Sequence, residues 1–269
     1  AAIAFSGAVT GTVFNWTNNT PSIGLAASGT GNIASFTAVN TGNAPVVATI
    51  TVTPSYTNGG TTCTGSAITF TITVNPTPVV NPVASQVVCN GSSTAAVVFG
   101  SNVAGTTFTW TNNNTSIGLA ASGSGDIASF TAVNATLVPV VATITVTPSF
   151  TGTAVTCTGS SITFTITVNP TPTVNQPANQ LVCSESSTAA VTFTGTVTGT
   201  VFNWTNNTPA IGLAASGSGN ISAFIAQNPG TTPLVATITV TPVYTAGGTS
   251  CPGTARTFTI TVNPLPKVD

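Results

Sequence analysis

Apolar and polar residues alternate along much of this chain. The stretch TFTWTN places Phe108 and Trp110 on one face and the threonines between them on the other. Alternation with period two is typical of a strand with one buried face, because successive side chains of a strand point to opposite sides of the sheet. The same pattern predicts strands in VATITVTPSF (141–150) and SITFTITV (161–168), where Phe164 points inward. No stretch shows a capped apolar pattern of helical period, so an all-β chain is predicted.

Shorter apolar runs predict further strands in the same region. These are QVVC, which ends at Cys89, AAVVF, SIGLA (116–120) and IASFTAV (127–133), with SGSGD as the turn between the last two. About seven short strands within fewer than 100 residues are typical of a β-sandwich. A strand with a tryptophan, flanked in sequence by cysteines, is also the immunoglobulin-like arrangement. The predicted core residues are Trp16, Trp110, Trp204, Phe108 and Phe164.

This unit occurs three times with a constant period of 94 residues. The motifs WTNN, IGLAASG and VATITVTP recur at that spacing without insertion or deletion, so each unit is predicted to be a small domain. Short VNP-x-P segments join the units, and alternating proline favours a semi-rigid spacer, so the domains are expected to stack end to end as a rod. The predicted domains are 1–76, 83–170 and 177–264, with Pro-rich linkers at 77–82, 171–176 and 265–269.

The first repeat is expected to lack its first strand. Ala1 aligns with Ala95, which follows the first strand of the second repeat. We expect the strand to lie upstream in the same polypeptide or to be donated by a neighbouring subunit, because an unpaired sheet edge is an aggregation hazard. The sequence leaves open whether the partner is a covalently continuous domain or a separate identical subunit.

The five cysteines follow the repeat. Cys89 and Cys157 lie 68 residues apart in the second repeat, and Cys183 and Cys251 have the same spacing in the third. This spacing predicts one structural disulfide within each domain, with a stabilisation of roughly 4 kcal/mol and an oxidising, extracellular setting. A zinc site is the weaker alternative, since each repeat offers two cysteines and no histidine. Cys63 is predicted to be unpaired in this chain.

Charged residues make up 2% of the chain, against 41% hydrophobic residues. The chain has only two Lys and Arg residues, too few for a nucleic-acid interface. It contains no run of about 20 apolar residues, so membrane insertion is not predicted. The chain has no histidine, and the acidic residues Asp126 and Glu185 lie in different repeats, so neither a catalytic triad nor a carboxylate pair is available. We therefore predict no enzyme, no cofactor and no metal site.

Several longer motifs carry a family resemblance. TFTWTNNN, IGLAASGSGDI, VATITVTP and FTITVNPTP resemble the PKD-like, immunoglobulin-like repeats of giant Bacteroidota cell-surface proteins, including gliding-motility adhesins of the SprB type. The resemblance covers the whole chain and implies type IX secretion, display on the bacterial cell surface and a role in adhesion or gliding. The acidic WDFGDG segment of PKD domains is replaced by WTNNN (110–114), so no activity of those acidic residues is carried over.

The leading hypothesis from the sequence is a structural one, namely the stalk or filament body of an extracellular adhesin whose partners are neighbouring identical domains. The alternative is a multivalent module that binds surface polysaccharide or a solid surface through the WTNN loop, with Asn112 and Asn113 as contacts. The aromatic residues Tyr56, Phe150 and Tyr244, at equivalent positions, are either binding platforms or edge packing. Rows of threonine that bind ice are a third, weaker hypothesis, because sandwich strands twist.

Overall fold

The computed structural model describes residues 1–153 and 155–266. Part of the predicted linker 265–269 therefore lies outside the described residues. The strands of the first repeat are β1 (Val13–Asn18), β2 (Ser28–Thr30), β3 (Val46–Asn58), β4 (Thr61–Thr64) and β5 (Ile68–Val74). Those of the second are β6 (Gln86–Cys89), β7 (Thr107–Asn112), β8 (Ser122–Ser124), β9 (Val140–Thr151), β10 (Thr156–Thr158) and β11 (Ile162–Asn169). Those of the third are β12 (Gln180–Cys183), β13 (Val201–Asn206), β14 (Ser216–Ser218), β15 (Leu234–Ala246), β16 (Thr249–Pro252) and β17 (Arg256–Asn263).

One main sheet organises each repeat. In the second repeat the strand order is β6-β11-β9-β7-β8, and β10 pairs with the far end of β9. The first strand, β6, runs parallel to the last strand, β11, whereas the other pairs are antiparallel. The third repeat has the same arrangement. In the first repeat, β5 has no parallel partner among the described residues, as the alignment of Ala1 leads one to expect.

A second, less regular layer covers this sheet. The segments AAVVF and IASFTAV, predicted as strands, meet there through the isolated bridge of Val97 with Ile127, and Ser93, just before AAVVF, forms another with Thr131. Both Val97 and Ile127 are buried in the core of the second repeat. The chain is thus an all-β protein of tandem β-sandwich repeats.

Two local predictions were wrong. The segment SIGLA was predicted as a strand but is not one, and SGSGD was predicted as a turn but contains a short strand. SIGLA overlaps a 3-10 helix, η2 (Thr115–Ile117), which ends at Gly118 with a left-handed φ of 94°. Equivalent helices, η1 (Pro21–Ile23) and η3 (Pro209–Ile211), occur in the other repeats. The glycine-rich stretch instead forms β8, in which Gly123 lies opposite Trp110. A Cβ on Gly123 would collide with the indole ring of Trp110, so only glycine lets the strand approach the tryptophan this closely.

The tryptophans lie at the centre of each sandwich. Trp16, Trp110 and Trp204 are each 7% exposed. Phe164 is 3% exposed, and the partly buried Phe108 packs against that core. The inward positions of the alternating strands therefore form one hydrophobic cluster in each repeat.

Candidate functional site

A disulfide joins the second repeat to the third. Cys89 at the end of β6 is bonded to Cys251 in β16, with a sequence separation of 162 and a Cα–Cα distance of 5.4 Å. The predicted pairs within one domain, Cys89 with Cys157 and Cys183 with Cys251, are wrong. Among the described residues Cys63, Cys157 and Cys183 carry no disulfide.

The parallel first strand explains the different pairing. Cys89 is in register with Asn169 at the end of β11, which lies beside the start of β9 at Val140. Cys157 pairs with Phe150, ten residues further along β9. At about 3.4 Å per residue the two cysteines of one repeat are roughly 34 Å apart, whereas a disulfide needs Cα atoms within about 7 Å. The cysteine that Cys89 can reach is the one at the near end of the next repeat.

Hydrogen bonds surround this disulfide. The side chain of Asn169, which is fully buried, donates from Nδ2 to the carbonyl oxygens of Ala246 (3.0 Å) and Thr249 (3.4 Å). Thr249 donates from Oγ1 to the carbonyl oxygen of Val87 at 3.2 Å. Gly247, between β15 and β16, lies against Val87 with a φ of 57°. The tip of the β15–β16 hairpin is thus held against the adjoining end of the preceding repeat.

The junction between the first and second repeats has part of this arrangement. Asn75, the equivalent of Asn169, donates from Nδ2 to the carbonyl oxygen of Val155 at 3.1 Å. Gly152 lies directly against Asn75. Here Cys157 occupies the position of Cys251, but no strand equivalent to β6 lies beside β5 within the described residues. The hairpin contact therefore forms in this junction without the disulfide.

The linkers are packed against the domain that follows them. Pro78 of the first linker and Pro76, the last residue of the predicted first domain, are both buried. A Cβ on Gly159 would collide with the carbonyl of Pro78, and Gly253 is related to Pro172 in the same way. This repeated close contact restricts the paths that the linkers can take.

The polar residues of the predicted binding loop are engaged within the fold. Asn112 is 7% exposed, donates from Nδ2 to the carbonyl oxygen of Leu119 at 3.0 Å, and accepts from the backbone N–H of Asn114 at 2.9 Å. Asn113 is exposed, but its Oδ1 accepts a hydrogen bond from the backbone N–H of Thr143 at 2.8 Å. The WTNN motif thus connects the loop to neighbouring strands, and Asn112 is not available to a ligand.

The aromatic residues at equivalent positions lie beside the cysteines. Phe150 pairs with Cys157 and Tyr244 pairs with Cys251 across their hairpins. Tyr56 has the same relation to Cys63 and is 38% exposed. This placement favours edge packing at the ends of the repeats over a binding platform.

The two acidic residues within the described repeats have backbone roles. Asp126 accepts from the N–H of Phe99 at 2.9 Å, and Asn220 makes the same contact to Phe193 at 2.9 Å in the third repeat. An uncharged amide thus replaces the carboxylate at the same position. Glu185 has a φ of 68° at the turn where the second repeat has Gly91. Among the described residues, no group of three or more His, Cys, Asp or Glu side chains could hold a metal ion, and no helix is long and apolar enough to cross a membrane.

Comparisons with known proteins support the class of domain. Residues 180–266, about a third of the chain, match the PKD-like domain family. No curated protein matches the chain significantly. Among solved structures, mouse protocadherin-24 EC1-3 is similar over 98% of this chain and 93% of that chain (TM-score 0.39, 13% identity). Mouse cadherin-23 EC22-24 is similar over 94% of this chain and 86% of that chain (TM-score 0.35, 11% identity). The I9-I11 tandem of titin is similar over 94% of this chain and 88% of that chain (TM-score 0.28, 12% identity).

The PKD-like match falls on the third repeat, whose motifs recur in the first two. PKD-like domains are typically structural or adhesion domains, and disulfides persist in oxidising compartments. Together the family match and the Cys89–Cys251 bond suggest an extracellular repeat module of the adhesion type.

Proposed function

We propose that these repeats form the stalk or filament body of a bacterial extracellular adhesin and support surface attachment or gliding. The observation that carries the proposal is the disulfide between Cys89 and Cys251, which joins two repeats across their junction. A stalk must transmit force along its length, so a covalent bond between successive domains suits this role. A bond within each domain would leave the junction dependent on the linker and the hydrogen bonds alone.

The separation of the two cysteines determines how much chain the bond protects. A disulfide across 162 residues keeps that segment from extending when the ends are pulled. At about 3.4 Å per extended residue, the protected length is roughly 550 Å. When the second and third repeats lose their folded structure under load, the bond therefore limits how far the chain can lengthen.

The finer parts of the proposal rest on sequence motifs. The resemblance to repeats of giant Bacteroidota adhesins supports type IX secretion and display on the bacterial cell surface. The short proline-containing linkers, with Pro76 and Pro78 buried, support an end-to-end rod.

Single-molecule pulling from the two ends of the chain tests the stalk role. The end-to-end length of the fully extended chain is expected to be about 550 Å shorter for the oxidised protein than for the reduced protein. The Cys183→Ser variant is a matched control, because Cys183 carries no disulfide and its loss should not change the extension. Equal contour lengths with and without reductant would contradict the proposal that the bond protects the stalk.

The carbohydrate-binding alternative is not favoured by the geometry. Its proposed contact Asn112 is buried and hydrogen-bonded to Leu119. The module would need another surface to bind a glycan.

A further inference from the structure

The first repeat has an open groove where the other two repeats are covered. We define the open groove as two cavities along β5, one of about 610 Å³ beside Phe5 and Gly65 and one of about 360 Å³ beside Ile72 and Cys157. We propose that the open groove binds a linker-and-strand segment of the same type as residues 78–89, which adds to β5 as a parallel edge strand. The cysteine of that segment then forms a disulfide with Cys157. This inference concerns assembly and goes beyond the stalk role.

The exposure of apolar side chains shows that the groove is uncovered. Phe70 and Ile72 of β5 are only partly buried, and Ile68 is 63% exposed. Their equivalents Phe164 and Ile166 in β11 are 3% and 0% exposed. The sequences are nearly the same, so the difference comes from the segment that covers β11.

That covering segment defines the occupant. In the second repeat Val80 is 3% exposed, and both Val80 and Val88 pack against the core. In the third repeat Val174 and Val182, each 94 residues later, take the same places. The occupant of the open groove therefore needs two apolar anchors eight residues apart, the second directly before a cysteine.

The backbone of the first repeat offers the matching polar groups. In the second repeat the N–H of Asn81 donates to the carbonyl oxygen of Gly100 at 2.9 Å, and the N–H of Thr165 donates to Ser85 Oγ at 3.0 Å. The equivalent positions in the first repeat are Ser6 and Thr71. These groups would orient an incoming segment in the same register.

Cys157 is placed to make the bond. It lines the second cavity together with Asn75, and it occupies in the second repeat the position that Cys251 occupies in the third. The two thiols become a disulfide by losing two protons and two electrons to a third disulfide, protein or small molecule, which is reduced to two thiols.

A synthetic peptide of residues 77–90 tests the inference on the intact, folded chain. Its cysteine, activated as a 2-pyridyl disulfide, supplies its own oxidising equivalent. The Cys157 thiolate attacks the peptide sulfur and releases pyridine-2-thione. We expect Cys157 to be modified faster than the exposed Cys183 by a factor on the order of ten or more, since the groove raises the effective concentration of the peptide. Peptide mapping of the adduct by mass spectrometry measures this ratio.

Two controls separate binding in the groove from ordinary thiol reactivity. A peptide with aspartate at the positions of Val80 and Val88 should lose the preference for Cys157, as should the native peptide in denaturant. A peptide with serine in place of Cys89 should still slow hydrogen exchange in β5. Equal modification of Cys157 and Cys183, or a preference that the aspartate peptide retains, would overturn the inference. Neither result bears on the extension measured by pulling, so the two proposals fail separately.

Discussion

Replacement of Cys89 by serine should destabilise the second and third repeats together. The variant removes the covalent link to Cys251 while leaving β6 in place. Cys251 is 1% exposed, and a free thiol in such a site behaves as a small hydrophobe, so little new strain is expected. The main effect is the loss of a constraint on the unfolded chain.

The separation of the cysteines determines the size of the effect. For a closed loop of 162 residues, the chain-entropy model gives a stabilisation of about 5 kcal/mol. The first repeat carries no disulfide, so its stability should not change. The matched variant Cys183→Ser removes an exposed cysteine without a bond and should alter stability by less than about 0.5 kcal/mol.

Hydrogen exchange in increasing urea, followed by mass spectrometry, can measure each repeat separately. Peptides of the second and third repeats should lose protection at lower urea in Cys89→Ser, while those of the first repeat serve as the internal reference. A loss below about 1 kcal/mol would refute the entropic reasoning.

Cleavage at Glu185, the single glutamate, checks the connectivity itself. In denaturant the two fragments of the Cys183→Ser variant should stay joined until they are reduced, because Cys89 and Cys251 lie on opposite sides of Glu185. Fragments that separate without reductant would show that the bond across the junction is absent.

Three further predictions concern single side chains. Asn169→Ala should loosen the junction, because it leaves two carbonyl groups of the hairpin without their donor. In the reduced protein, the distribution of interatomic distances from small-angle scattering should then broaden. Asn263→Ala, the equivalent change at the far end of the third repeat, should have no such effect. Gly123→Ala should destabilise the second repeat by about 3 kcal/mol, because the added methyl group overpacks the Trp110 indole. The control Gly125→Ala should cost only about 1 kcal/mol, because there only the positive φ is strained. Thermal unfolding measures both changes. Asn112→Ala should cost about 2 kcal/mol in urea unfolding, since it removes buried hydrogen bonds, and an unchanged midpoint would restore that residue as a candidate ligand contact.

Local patterns predicted most of the strands, but some elements were set by packing. The alternation in β7, β9 and β11 follows from burial of one face, so it is visible in the letters. The 3-10 helix at Thr115–Ile117 and the strand at Ser122–Ser124 were missed. The glycine of that strand is needed because Trp110 lies against it, and no local signal carries that contact.

The candidate site was only half predictable. The five cysteines, their register and the lack of a first strand beside β5 all followed from the 94-residue period. The recurring spacing of 68 residues suggested a disulfide within each domain, because the sequence does not show at which end of the sheet each cysteine lies. The burial of Asn112 was missed for a related reason, since an Asn-rich motif between strands is read as exposed unless its partners are known.

The sequence by itself thus determined the three-fold repeat, the all-β class, the tryptophan core and the low content of charged residues. Only the tertiary structure decided which cysteines meet. The parallel placement of β6 beside β11 carries Cys89 to the end of its domain that faces the next repeat, while Cys157 lies at the opposite end of β9. Strand direction is a property of the assembled sheet, because the same alternating sequence can pair in either sense until its neighbours are in place.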